Sequence, residues 1–194
     1  MPDEAARQLA EALRGTPIGG VKGGERSARV FAESWTAPGG SWTVTRRSRL
    51  YRLAEPAPPR PAPPGTARRA TAAWMSAFAA DIGVAPVTDH AANAERRVGY
   101  GGLYVWEAGG VPVSMAAHSP VVAGQSRIAP VCTPPELRGR GYAGAVTAAV
   151  GHAAREAGAA QVLLFADLAN PTSTALYQRL GYRPVSDHAD IALR

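Results

Sequence analysis

Cysteine is almost absent from this sequence. The single one, Cys132, has no partner for an internal disulfide and cannot by itself make a zinc site, so neither a covalent staple nor a structural metal is expected. Long apolar runs are missing too: none approaches the roughly 18 residues a bilayer span needs. The opening stretch MPDEAARQLAEALRG is charged and amphipathic where a signal peptide carries an apolar block. These absences speak against a disulfide-built secreted domain and against a membrane partner, and the chain is expected in the cytoplasm. Lysine is the third scarcity, since twenty of the twenty-one basic residues are arginine. The formal net charge is +6, and the whole excess lies early: Met1 to Ala70 carries twelve basic and six acidic residues, the remainder nine of each. A basic segment can be a nucleic-acid footprint. Here the arginines are scattered apart from RRSR at 46–49, so nucleic acid is not expected as a partner.

What is present is enough for a packed core: 194 residues, 46% of them hydrophobic, suit one domain or one domain with an appendage. The clearest break is EPAPPRPAPPG, Glu55 to Gly65, where six prolines in eleven residues forbid helix and interrupt any sheet ladder. It divides the expected organisation into an amino-terminal appendage (1–56), a proline-rich linker (57–66) and a main domain (67–194). In the appendage, Leu9 with Leu13 and Phe31 with Trp35 have helical spacing over Asp3–Arg14 and Glu25–Trp35, and SWTVTRRSRLYRL has strand composition. Beyond the linker, Trp74, Phe78 and Ile82 predict an amphipathic helix. GLYVWEAGGVPVSMAAHS predicts a hairpin turning at Gly109 and Gly110. A third strand is expected over Gln125–Thr133, with a bulge or broken edge at Pro130, which has no N–H to donate. A helix to about Glu156, the apolar strand QVLLFAD, a helix from Pro171 capped by Asn170, and a last strand from Tyr182 complete the pattern.

The stretch LRGRGYAGAVTAAV carries Gly139, Gly141 and Gly144 at dinucleotide-fingerprint spacing. A Rossmann reading finds some support in Asp167, which ends a strand at a suitable distance to hold a ribose hydroxyl. Only 27 residues follow Asp167, however, too few for the remaining strands of such a sheet, and TPPELR separates the glycines from the preceding strand. A P-loop is excluded because no Gly-Lys-Ser/Thr occurs. What remains is either a tight turn before a helix or a loop whose successive N–H groups converge at a helix N-terminus, where unpaired donors and the dipole favour an anion. A diphosphate fits the second. Gly139 and Gly141 let the chain turn, Ala143 is small enough to let a ligand lie close, and Arg138 and Arg140 add charge.

VCTPPELRGRGYAGAVTAAV resembles the acyl-CoA signature of the GNAT superfamily of N-acetyltransferases, whose pattern of Gln or Arg, two residues, Gly, one residue and Gly or Ala falls on Arg138, Gly141 and Ala143. NPTSTALYQRLGYRP resembles the family's second segment, an Asn after a central strand, a helix carrying a Tyr, and Leu-Gly-Tyr at its end. The two cover about Gln125 to Pro184, and the appendage resembles the degenerate amino-terminal halves of some members. The resemblance implies an α/β (α+β) fold, a mixed, mostly antiparallel sheet with splayed middle strands and flanking helices. It also implies direct acetyl transfer from acetyl-CoA to a primary amine, without a metal. The pantetheine arm would pair with Val131, Cys132 and Thr133, and the diphosphate would lie on the amides of Gly139, Arg140, Gly141, Tyr142, Ala143 and Gly144. Asn170 and Ser173 would touch the arm, and Tyr177 would protonate the departing thiolate. Family members often use a Glu on the strand before the phosphate loop as base; GQSRIAPVC contains no carboxylate. By chemistry alone the candidates are Glu107, His118, Glu136 and Asp167, with a water relay as an alternative.

The expected partner is a small-molecule amine, with a protein or peptide amine as the alternative acceptor. Tyr100, Tyr104 and Trp106 either line that pocket or belong to the core. A non-catalytic acyl-CoA-binding module is the competing class, and a homodimer is compatible with the resemblance.

Overall fold

The computed structural model describes residues 1–36, 39–70 and 88–194. The helix expected from Trp74, Phe78 and Ile82 lies outside them. The chain divides into two compact units along a line other than sequence order: residues 1–51, 165–175 and 184–194 form the first, residues 52–164 and 176–183 the second.

The first unit is built on α1 (Asp3–Ala12), β1 (Gly20–Gly24), α2 (Glu25–Thr36), most of β2 (Trp42–Leu53) and most of the last strand, β8 (Tyr182–Leu193). Its strands follow the order β1-β8-β2-β7, where β7 (Gln161–Asp167) contributes only its end, with β1 antiparallel to β8 and Val21 opposite Ile191. The core joins Ala6 and Ala10 of α1 to Ala28, Phe31 and Ala32 of α2 and to Ala189, Ile191 and Leu193 of β8. Both helices present residues one turn apart to this core, the spacing that puts them on a single face. The face of α1 differs from the expected one. Leu9 is exposed and the buried positions are alanines, whose small side chains let the two helices approach closely. Phe31 stacks on Trp35 with ring centroids 6.0 Å apart, as their helical spacing suggests.

The second unit contains β3 (Thr66–Arg69), α3 (Thr88–Gly99), β4 (Leu103–Ala108), β5 (Val111–His118), β6 (Gln125–Cys132), a short 3-10 turn (Pro135–Leu137), α4 (Tyr142–Glu156) and the start of β7 (Gln161–Asp167). Its strands run β7-β6-β5-β4-β3, antiparallel except for β6 and β7. The expected hairpin is β4–β5, and both turn glycines have positive φ, 60° and 80°. The irregularity at Pro130 is also found. Ala116 faces Val131 but His118 faces Ile128, so two residues of β6, Ala129 and Pro130, oppose the single Ala117. The third strand ends one residue earlier than expected, at Cys132.

Helix α5 (Pro171–Arg179) ends in Leu180 and Gly181. At Gly181, φ is +92° and an added Cβ would fall on the carbonyl oxygen of Glu55, in the stretch that follows β2. Ala54 and Ala57 donate their N–H groups to the carbonyls of Gly181 and Leu180, at 3.1 Å each. Left-handed backbone costs a side-chain-bearing residue about 1–2 kcal/mol and overpacking about 1–3 kcal/mol. Gly181→Ala is therefore expected to lower stability by more than about 2 kcal/mol in urea unfolding. A loss below about 1 kcal/mol would show that the segment beyond Ala54 yields freely.

Candidate functional site

The glycine loop is built as a set of free donors. Leu137 and Arg138 close the 3-10 turn by donating to the carbonyls of Pro134 and Pro135. From there the chain passes through Gly139 and Gly141, at φ +77° and +84°, into α4, whose first backbone bond runs from the N–H of Ala145 to the carbonyl of Gly141 at 3.1 Å. The six intervening amides, Gly139 to Gly144, find no acceptor among the described residues. Three belong to the first turn of a helix and are unpaired for that reason; the other three lie in a loop that passes through two left-handed glycines and meets no acceptor among the described residues. Gly139, Arg140 and Gly141 are exposed. Consecutive unpaired N–H groups at a helix N-terminus suit a phosphate chain, and the residues present fit a diphosphate.

The proline stretch packs on this loop. Pro63 lies 3.6 Å from where a Cβ on Gly141 would stand, and Pro59 the same distance from one on Gly144. Gly144 is a packing position as well as an amide donor, since its Cβ would meet Leu176 of α5 at 3.1 Å. Arg138 donates through Nε to the carbonyl of Thr133 (3.1 Å), and Arg140 through a terminal nitrogen to the carbonyl of Glu136 (3.3 Å). Both side chains are exposed and retain further donors.

Upstream, β6 offers a backbone edge. Its parallel pairing with β7 covers Gln125 to Arg127, opposite Gln161 to Leu163, and stops there, while pairing with β5 continues to Val131 and Cys132. Within the second unit the β6–β7 ladder thus stops where the bulge begins, and among the described residues no ladder pair is found on that side for Ile128 to Cys132. An unpaired strand edge is where an extended amide-containing ligand adds itself. Ser114 of β5 ties down the end of β6, donating to the carbonyl of Cys132 at 3.0 Å and bonding Thr133 Oγ1 at 2.8 Å. Burial pushes the Cys132 thiol above its ordinary value, with Arg138 opposing the shift, so the thiol is protonated at neutral pH and a poor nucleophile.

Tyr177 sits in α5, in the second unit, 8% exposed and edge-on to Tyr182 at a centroid distance of 6.0 Å. Burial raises it above the usual tyrosine value, so at neutral pH it holds its proton and is chemically a donor. Tyr182 is more deeply buried, its hydroxyl without a partner and 3.3 Å from the space a Cβ on Gly151 would take. Asn170 caps α5 as the sequence suggests, its Oδ1 accepting the N–H of Ser173 at 3.0 Å. Asn170 and Ser173 belong to the first unit.

The four candidate bases differ in their immediate surroundings. Glu107 is paired with Arg68 at 3.4 Å and Asp167 with Arg46 at 3.0 Å, while Glu136 is exposed on the 3-10 turn. His118 is buried, its Nδ1 at 2.9 Å from the carbonyl of Ser119. That carbonyl can only accept, so Nδ1 is the donor in this bond. Tyr100 and Tyr104 pack about this ring at 6.3 Å each, and the Tyr100 hydroxyl donates to the His118 carbonyl. Trp106 donates instead to the carbonyl of Pro64. Among the described residues no group of three or more His, Cys, Asp or Glu side chains is arranged to hold a metal ion, and no helix is long and apolar enough to cross a membrane. Ser114, Pro59 and Pro63 were not legible beforehand. A serine inside an apolar strand was the one available signal for the first, and nothing local marked the prolines as packed.

Residues 112–189 match the FR47-like protein family model, which spans β5 through most of β8. None of the curated proteins compared matches the sequence. Among solved structures, a GNAT-family acetyltransferase from Colwellia psychrerythraea superposes with a TM-score of 0.71 at 12% identity, over 98% of this chain and 71% of that one. A GCN5-related N-acetyltransferase from Kribbella flavida gives 0.62 at 24% identity, over 89% and 67%. The ribosomal-protein-alanine N-acetyltransferase of Brucella melitensis gives 0.53 at 18% identity, over 66% and 98%. With the parted strands, the amide loop before α4 and the FR47-like segment together on one chain, this protein has the fold of the GNAT superfamily.

Proposed function

We propose that the protein is an N-acetyltransferase that moves the acetyl group of acetyl-CoA to a primary amine within a ternary complex, with the chemistry carried by residues 67–194. The observation that carries this reading is the run of six unpartnered amides from Gly139 to Gly144 next to a strand edge that β7 abandons. The amides of 139–144 hold the diphosphate, and the edge at Val131 to Thr133 pairs with the pantetheine amides. A neutral amine attacks the thioester carbonyl, the C–S bond breaks, and Tyr177 gives its proton to the leaving thiolate. Positioning of the two reactants supplies most of the acceleration; a proton donor of this kind contributes typically about 10²–10⁴-fold. The amine's proton leaves through water or through a base that the acceptor itself brings close.

CoA at about 100 times its Kd should stabilise the folded chain by about 2.7 kcal/mol in thermal or urea unfolding, and NAD should not. A shift with NAD and none with CoA sinks the proposal. Tyr177→Phe should keep the CoA shift while kcat falls about 100-fold or more; an unchanged kcat would reduce Tyr177 to a packing residue. The same variant tests the pH dependence. A tyrosine raised by burial donates throughout the neutral range and fails only above its ordinary value near 10, so the alkaline fall of kcat should lie above about pH 10 and vanish in Tyr177→Phe. CoA binding without turnover on any amine would assign the chain to the non-catalytic class.

A further inference from the structure

Wholly within the first unit, residues 44–47 of β2 and Asp167, Leu168 and Ala169 at the end of β7 line a depression of about 410 Å³. That is the lower range of small-ligand sites, about 300–1,000 Å³. Its framework is fixed by backbone: the N–H of Leu168 donates to the carbonyl of Arg47 at 3.0 Å, and that of Ala169 to Oδ1 of Asp167 at 2.9 Å. Val44, Leu168 and Ala169 give it apolar wall, and its lining charges are two guanidiniums against one carboxylate.

The two arginines are not equivalent. Arg47 is drawn to Glu25 of α2, its Nε 3.1 Å from Oε1. Arg46 sets its Nε 3.0 Å from Oδ2 of Asp167, and no described residue accepts from its terminal nitrogens. Asp167 lies beside the guanidinium as its counter-charge, both side chains partly exposed, and an arginine's planar fork of donors is the group that matches a carboxylate. Asp167 keeps acceptor capacity of its own, because an ionised carboxylate offers about four lone-pair sites and the N–H of Ala169 takes one while Arg46 stands by as an ion-pair partner.

We infer that this depression is a recognition site for a carboxylate-bearing amine of amino-acid type, the carboxylate on the terminal nitrogens of Arg46, the ammonium beside Asp167 and the side chain against Val44 and Leu168. As the identity of the acceptor this rests on the acetyltransferase reading; as a binding site it does not. Neither residue acts on reacting atoms in this role, and both are specificity residues.

The test uses the full chain and three probes that differ only in the group facing Arg46: L-leucine, L-leucinamide and isoamylamine. Affinities come from melting-temperature shifts, without acetyl-CoA. L-leucine should bind at least tenfold tighter than the other two. Arg46→Gln should abolish that preference and Arg46→Lys should restore part of it, since a lysine keeps the charge and loses the fork. Equal affinity for the three probes, absence of binding by all three, or a preference that survives Arg46→Gln overturns the inference. Acetyl-CoA binding is measured alongside: its failure with the leucine preference intact overturns the acetyltransferase reading and leaves the site, and the reverse result does the opposite.

Discussion

A backbone amide that faces no acceptor must be given one by solvent or ligand, and between Gly139 and Gly144 six in succession are in that position. The arrangement survives because nothing around it offers an alternative. The carbonyls before the loop are occupied by Leu137, Arg138 and the arginine side chains, and those after it by α4 itself. Two glycines in left-handed conformation keep the amides pointing outward, and the proline stretch, which has no N–H groups at its prolines and cannot join a ladder, packs beside Gly141 and Gly144 without competing for them. Whatever anion such a loop receives would meet main-chain donors first, with Arg138 and Arg140 at its edge.

The parting of β6 from β7 follows from similar economy. A proline in β6 removes one donor and adds a bulge on the β5 side, where the remaining pairs are close enough to absorb the shift. On the β7 side the ladder simply ends after Arg127 and Leu163. The strand is thus held firmly along one edge by β5 and by Ser114, and the other edge is open, which is the geometry an extended ligand needs.

Most of the fold was legible, and the reasons are local. Hairpin, caps and helix ends are written in residues with strong backbone preferences: Gly109–Gly110, Asn170–Pro171 and Gly181 each lie where the chain turns as expected. The glycine loop was legible for the same reason. What could not be read depends on residues far apart in sequence. Ala6 and Ala10, rather than Leu9, face the core because α2 lies close, and no local pattern announces that. Asp167 is paired with Arg46 and Glu107 with Arg68, and such partners come from other strands, which no local pattern announces. The arginine run at 46–49 stands out from the scattered basic residues in the sequence, but which carboxylates it meets depends on other elements.

Strand β2 lies between β8 and β7 within the first unit, and β1 pairs only with β8. The ends of β2 and β8 exchange backbone bonds, Ser41 with Arg194, while Lys22 reaches Asp190 across 168 residues of sequence. During synthesis, therefore, the first helices and strands leave the ribosome long before their partner strand exists. Val21, Trp42 and Val44 are available early to cover part of the alanine and phenylalanine face of α1 and α2, but the part closed by Ala189, Ile191 and Leu193 stays open until β8 emerges, a period in which exposed apolar surface invites association with other nascent chains or with a chaperone.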